Sequence, residues 1–146
     1  MADKRLTLDF VTPEKVAWSA PADFVVLPAY NGEMGVLPGH QSFLVQLTAG
    51  EVRVTTGEEV KNFAISGGFA EVKNDVVSLF AETAEDASQI DSERAHQELE
   101  KAKTVVKPGL DPMQLAQMEA AIRLAQVRVR VSRRAKSPPP PHAPEP

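Results

Sequence analysis

Turn-forming residues recur about every ten positions through the first half of the chain: Asn31-Gly32, Pro38-Gly39, Ala49-Gly50, Gly57 and Gly67-Gly68. That spacing admits short strands joined by tight turns, and it leaves no room for the helical crossovers of a parallel sheet. The intervening segments agree. Leu6, Leu8 and Phe10 alternate in "LTLDFV", and Val52 and Val54 alternate in "EVRVTT". "ADFVVLPA", "NFAIS" and "VVSLFAE" are β-branched and aromatic runs of strand length. Residues 1–86 are therefore expected to form an antiparallel β-sandwich or barrel.

Beyond residue 86 the period changes. Ile90, Ala95, Leu99, Ala102 and Val106 recur at helical spacing, with Ser88 or Asp91 as the N-cap and Pro108-Gly109 as the stop. Asp111-Pro112 opens a second helix, an acid at the cap before a proline whose missing N–H costs nothing there. The connection "KPGLDP" is short, so the two helices are expected to be antiparallel neighbours over residues 87–136. Residues 137–146, "SPPPPHAPEP", read as an extended disordered tail. The fold class is α+β: an N-terminal antiparallel β-sandwich followed by a C-terminal antiparallel two-helix hairpin.

The stretch "AAIRLAQVRVRVSRR", residues 120–134, has a strand-like alternation at its centre but organises better as a helix. Leu115, Met118, Ile122, Ala125 and Val129 then form one apolar line, and Met113, Ala116, Ala120, Leu124, Val127 and Val131 a second. Arg123, Arg130 and Arg134 fall between them. Two apolar lines are one more than a helical hairpin needs, so one must cover the sandwich or another protein. Much of this surface is alanine, which buries little area, and a weakly held hairpin that changes partners is one reading. A hairpin fixed on the sandwich as a brace is the other.

Charge is distributed unevenly. Residues 1–89 carry 13 acidic against 6 basic side chains, whereas residues 111–137 carry 2 against 6. A basic end on an acidic chain fits a localised acidic partner better than a polyanion-coating surface. Nucleic-acid binding is disfavoured further because Trp18 and Tyr30 are remote in sequence from the arginines. No apolar run approaches the length of a membrane span, and the N-terminus "MADKRLTLDF" lacks a signal-peptide core. The absence of cysteine excludes disulfides and thiolate metal sites. The scattered His40, His96 and His142 make no metal spacing. Glu33 and His40 could form an acid–base pair, but no nucleophile or oxyanion feature accompanies them, so no enzyme chemistry is expected.

Three stretches resemble the epsilon subunit of the bacterial-type rotary ATP synthase, over about residues 5–134. "GEMGVLPGH" (Gly32 to His40) matches a Gly-Glu-x-Gly-Ile-Leu-Pro-Gly-His loop, and "AISGGFAEV" (Ala64 to Val72) a Val-Ser-Gly-Gly-Phe-x-Glu-Val segment. "TAEDASQIDSERA" (Thr83 to Ala95) matches the entry to the helical part. The resemblance implies a non-catalytic rotor subunit, one copy per complex, peripheral on the cytoplasmic side of the inner membrane. It would couple proton flow to ATP synthesis. Glu33 would face polar loops of the c-ring, and Pro38, Gly39 and His40 would lie near the gamma subunit. Ser42 and Phe43 stand where the family usually has Pro-Leu. The last helix would inhibit ATP hydrolysis, with Arg123, Arg130 and Arg134, and also Arg128 and Arg133, meeting an acidic loop of the catalytic beta subunits.

Some members of that family bind ATP as a regulatory ligand. The corresponding positions here are Glu85, Ile90, Asp91, Arg94 and Ala95, while Ile122 and Gln126 stand where binding members carry arginines. A phosphate site short of cations loses charge-assisted hydrogen bonds. A reading from a different class, a free-standing nucleotide- or nucleic-acid-binding module, is separable by co-purification with gamma.

Overall fold

A computed structural model of the chain describes residues 4–14, 16–105 and 107–135. Ten strands come first: β1 (Leu6–Val11), β2 (Val16–Ala22), β3 (Phe24–Ala29), β4 (Gly32–Val36), β5 (Phe43–Leu47), β6 (Gly50–Thr56), β7 (Glu59–Ile65), β8 (Gly68–Lys73), β9 (Val76–Ala81) and β10 (Ala84–Asp86). A 3-10 turn (Ala87–Gln89) leads to α1 (Ser92–Thr104) and α2 (Pro112–Ala135). The strands make one continuous sheet in the order β10-β7-β6-β3-β5-β8-β9-β1-β2, with β4 added beside β3. The sheet folds over one core in which Leu6, Leu8, Phe10, Leu27, Val52, Ile65, Val77 and Leu79 are fully buried.

The alternation read from the sequence is the one observed: Leu6, Leu8 and Phe10 point inward from β1, and Val52 and Val54 inward from β6. One pairing departs from the antiparallel expectation. β1 runs parallel to β9, Leu8 opposite Val77 and Phe10 opposite Leu79. A parallel pair needs a long connection, and here most of the sandwich supplies it in place of a helix. Segment 32–36, read from sequence as part of a loop, is the strand β4. Its residues are mostly exposed and two are glycine, so no apolar period announced it; backbone pairing with β3 alone makes it a strand.

Helix caps follow the sequence closely. Asp91 Oδ1 accepts from the Glu93 and Arg94 N–H groups (3.0 and 3.2 Å). Asp111 and Gln114 form a reciprocal box, Gln114 N–H to Asp111 Oδ1 at 2.8 Å and Asp111 N–H to Gln114 Oε1 at 3.3 Å. Both apolar lines of α2 are covered only in its C-terminal half. Ala125, Val127, Val129 and Val131 are buried in a second core with Ala64 of β7, Ala87, Ile90, and Ala95 and Leu99 of α1. Met113, Leu115, Ala116 and Ala120 remain exposed. α2 provides the main helical seat on β6 and β7, and α1 packs chiefly on α2. Val106 of the first apolar line and the Pro-rich segment 137–146 lie outside the described residues.

Candidate functional site

Polar contacts converge where α2 meets the sandwich. Arg128, the half-buried member of the arginine series, reaches across to two other elements. Its Nε and Nη2 donate to Glu85 of β10 at 2.8 and 3.2 Å, and its Nη1 donates to Glu98 of α1. A planar guanidinium is suited to span two carboxylates from different elements. The Glu85 hydrogen bond, opposed by burial and joined by Glu98, holds the Arg128 guanidinium more firmly protonated. The Arg128 hydrogen bond, in turn, pulls the Glu98 carboxyl below its ordinary value, with Arg94 adding to the effect.

A second constellation lies at the far end of α2. Glu51 and Arg53 project from the outer face of β6, because Val52 and Val54 take the inner one. Glu51 is a buried carboxylate with a side chain 4% exposed. Its Oε1 accepts from Arg134 Nη1 at 2.8 Å and from Arg53 Nη1 at 3.4 Å. Arg53 also chelates Glu33 of β4, with Nη1 to Oε1 at 3.2 Å and Nη2 to Oε2 at 3.0 Å. The Arg53 hydrogen bonds and charge, with smaller contributions from Arg134 and Arg130, lower the Glu33 pKa. A cleft of about 280 Å³ beside this chain is lined by Glu33, Glu51, Arg130 and Arg134, among others.

The remaining predicted arginines do not act as one stripe. Arg123 is exposed and reaches back to Glu119 (3.9 Å), Arg130 is exposed at the cleft, and Arg133 is exposed on the last turn. Glu33 and His40 do not form an acid–base pair, since each has other neighbours. His40 Nδ1 lies 2.9 Å from the Gln41 carbonyl, and its ring meets that of Phe43 at a 60° tilt, with centroids 4.8 Å apart. The Pro38–His40 turn is tied to the sandwich by the Gly39 N–H, which donates to Asp75 Oδ1 at 2.7 Å. Gly39 has φ +85° and open space around it, so the turn needs its backbone and not its size. Replacing Asp75 with Ala is expected to cost about 1 kcal/mol. It should also speed hydrogen exchange at the Gly39 amide while the core amides stay protected.

The positions matching the nucleotide motif have internal roles. Ile90 and Ala95 are buried in the second core, Asp91 caps α1, and exposed Arg94 donates to Glu98 at 3.2 Å. Glu85 is occupied by Arg128. The groove of about 480 Å³ along α1 is lined by Asp91, Glu93, Arg94, Gln97, Glu98 and Lys101, three carboxylates against two cations. The cation of α2 that faces this motif is Arg128, two positions beyond Gln126.

Sequence reasoning missed Glu51, Arg53, Glu98 and Asp75. It also missed an apolar row on the outer sheet face. Phe69 of β8 lies opposite Phe80 of β9, and Phe80 beside Val11 of β1, which pairs with Val16 of β2. Phe69 is 52% exposed, Phe80 42% and Val16 60%; Leu44 of β5, 70% exposed, adjoins this face. The alternation of β8 and β9 contained this signal, since it left aromatic residues on the face opposite Ala70, Val72, Val77 and Leu79.

Residues 5–87 match the family model of the ATP synthase delta/epsilon chain β-sandwich domain. The ATP synthase epsilon chain of Desulforamulus reducens is 40% identical over 129 residues, covering 88% of this chain and 98% of the relative. That of Elusimicrobium minutum is 48% identical over 101 residues, covering 68% of this chain and 75% of the relative. Among solved structures, a chain of the Euglena gracilis mitochondrial ATP synthase (OSCP/F1/c-ring) is 29% identical with a TM-score of 0.71, covering 84% of this chain and 78% of that one. A Tetrahymena thermophila ATP synthase central stalk/c-ring chain, 15% identical with a TM-score of 0.57, shares the fold. With a matching family model over its sandwich and relatives that align through its helices, this chain belongs to the ATP synthase epsilon-chain family and is not itself catalytic.

Proposed function

We propose that this chain is a central-stalk subunit that couples proton flow through a c-ring to ATP synthesis, and that its C-terminal helices restrain ATP hydrolysis. The observation that carries the regulatory part is how the hairpin is held. α2 seats on the sandwich through small side chains and through ion pairs at Arg128 and Arg134. Such a seat can be exchanged for an acidic surface elsewhere, because the same guanidinium groups that hold it would bind the replacement.

The outer apolar row of Phe69, Phe80, Val11 and Val16 suits the gamma subunit, and the Pro38–His40 turn, held by Asp75 at the opposite end of the β8–β9 hairpin, is a second candidate contact with it. The Glu33 turn suits the polar loops of the c-ring. The complex would hold the chain at the cytoplasmic side of the inner membrane; among the described residues, no helix is long and apolar enough to cross a membrane. ATP as a regulatory ligand is a weaker reading, since the Arg128 guanidinium near the motif is already engaged by both Glu85 and Glu98.

The test is ATPase activity of the assembled complex carrying Arg123→Ala, Arg128→Ala, Arg130→Ala, Arg133→Ala and Arg134→Ala together. Hydrolysis is expected to rise about fivefold or more. Unchanged inhibition at low ionic strength, where exposed charge pairing is strongest, overturns the reading. Deleting residues 88–146 should raise hydrolysis while assembly is retained; a hairpin that only braces the fold would give no rise.

A further inference from the structure

Arg53 is a single cation divided between two carboxylates that belong to different surfaces. Glu51 lies buried beneath α2, whereas the Glu33 side chain is 62% exposed at the β3–β4 turn. Arg53 Nη1 is within hydrogen-bond reach of both, 3.2 Å from Glu33 Oε1 and 3.4 Å from Glu51 Oε1. The shorter bond to Glu51 comes from Arg134 of α2, at 2.8 Å. Glu51 Oε2 faces no protein donor among the described residues, so this carboxylate has unused accepting capacity. β6 and β4 both pair with β3, and Val26 stands between Arg53 and Gly35 in the register. This rigid backbone fixes Arg53 within reach of both carboxylates.

We propose that Glu51 and Arg53 make the docking of α2 and the capture of Glu33 by an external polar or basic loop oppose each other. With α2 docked, Arg134 satisfies much of the Glu51 charge, and Arg53 is left to chelate Glu33. When Arg134 leaves, Glu51 lacks its nearest cation and draws Arg53, the guanidinium two residues away on the same strand. Glu33 is then free to accept hydrogen bonds from a partner. Conversely, a partner that takes Glu33 releases Arg53 to Glu51, which weakens the hold of Glu51 on Arg134. Linkage requires the two effects to be equal in size. The charged groups facing Glu33 are Arg53, Arg134 and Arg130, so only Arg53 transmits by hydrogen bonding and the other two act through space. The identity of the partner loop rests on the function proposed above; the internal coupling does not.

The experiment uses the isolated full chain with 13C-labelled glutamate carboxyls. Arg134→Ala is expected to raise the midpoint of the Glu33 carboxyl titration, and in a Glu51→Gln background the same substitution should raise it by clearly less, leaving only the direct through-space action of Arg134. Glu33→Gln should speed hydrogen exchange of the Val127–Val131 amides about threefold, the scale of an exposed ion pair. Glu51→Gln is isosteric and Arg134 sits on the surface, so folding is retained, with Lys103→Ala as a control. An equal Glu33 displacement in both backgrounds would mean direct charge–charge action and overturns the proposal. So does an unchanged exchange rate in Glu33→Gln. Both readouts are independent of ATPase inhibition, so failure here and failure of the proposed function can be told apart.

Discussion

Replacing Gly68 with Ala is expected to remove most of the stability of the sandwich, at a cost of about 4 kcal/mol or more. A Cβ built at Gly68 would lie 1.9 Å from the Phe80 carbonyl oxygen and 3.0 Å from its carbonyl carbon. Those atoms are backbone of the adjacent strand β9, where Gly68 pairs with Ala81, so they cannot swing aside. The residue also has φ +136°, a conformation that L side chains rarely adopt and that adds strain of about 1–3 kcal/mol. Gly67, with φ +110°, brings the chain against the Leu47 carbonyl in the same corner. Close backbone approach thus explains the Gly-Gly of the "AISGGFAEV" motif. Urea unfolding followed by Trp18 fluorescence provides the measurement, since Trp18 contacts Phe10 and Phe63 in the core. Gly57→Ala is the comparison: nothing lies within 4 Å of its added Cβ, so only the left-handed backbone cost of about 1 kcal/mol applies. A Gly68→Ala midpoint near that of the unmodified chain would refute the steric argument.

Replacing Arg128 with Ala is expected to weaken hairpin docking by about 2 kcal/mol, roughly thirtyfold in the opening equilibrium. The loss is limited because Glu85 and Glu98 are each more than a third exposed, and water screens the pair that remains. Arg128→Lys should recover only part of it, since an ammonium cannot bridge two carboxylates from a planar fork. Acid should act in the same direction. Glu98 has a folded pKa below 4.5, so its contribution is fully present above that value and is lost as pH falls through the folded pKa. The Arg128→Ala chain should lose that acid dependence. Hydrogen exchange of the Ala125–Val131 amides, measured from pH 6 downward, would report both effects. Wild-type protection in Arg128→Ala at neutral pH would show that apolar contacts alone hold the hairpin.

Legibility differed sharply between elements. β1 and β6 were readable because alternation records which side meets the core, and β9 was readable as a β-branched, aromatic run of strand length. β4 was not, because its residues are exposed and only backbone hydrogen bonds make it a strand. The helix limits were readable from Asp91, Asp111 and Pro112, since capping is local. The arginines were recognised as a basic group, yet their division was invisible. Arg128 bridges to residues 43 and 30 positions away, and Arg134 to one 83 away. The motif positions Ile90 and Ala95 looked like ligand contacts and are core residues in this conformation, because their apolar character serves packing on α2.

The sequence by itself determined the sandwich-then-hairpin order, most of the turn positions, the caps and the family, all of which depend on local period or short contiguous motifs; the β8–β9 turn at Asn74 and Asp75, which has no glycine, was not among them. Only the tertiary structure decided that one half of α2 is covered, that Glu51 is buried beneath it, and that Arg53 is shared between Glu51 and Glu33. Those facts depend on which surfaces meet across the fold. Burial turns an ordinary surface glutamate into a carboxylate that must keep a cation, and no local pattern records which residue that will be.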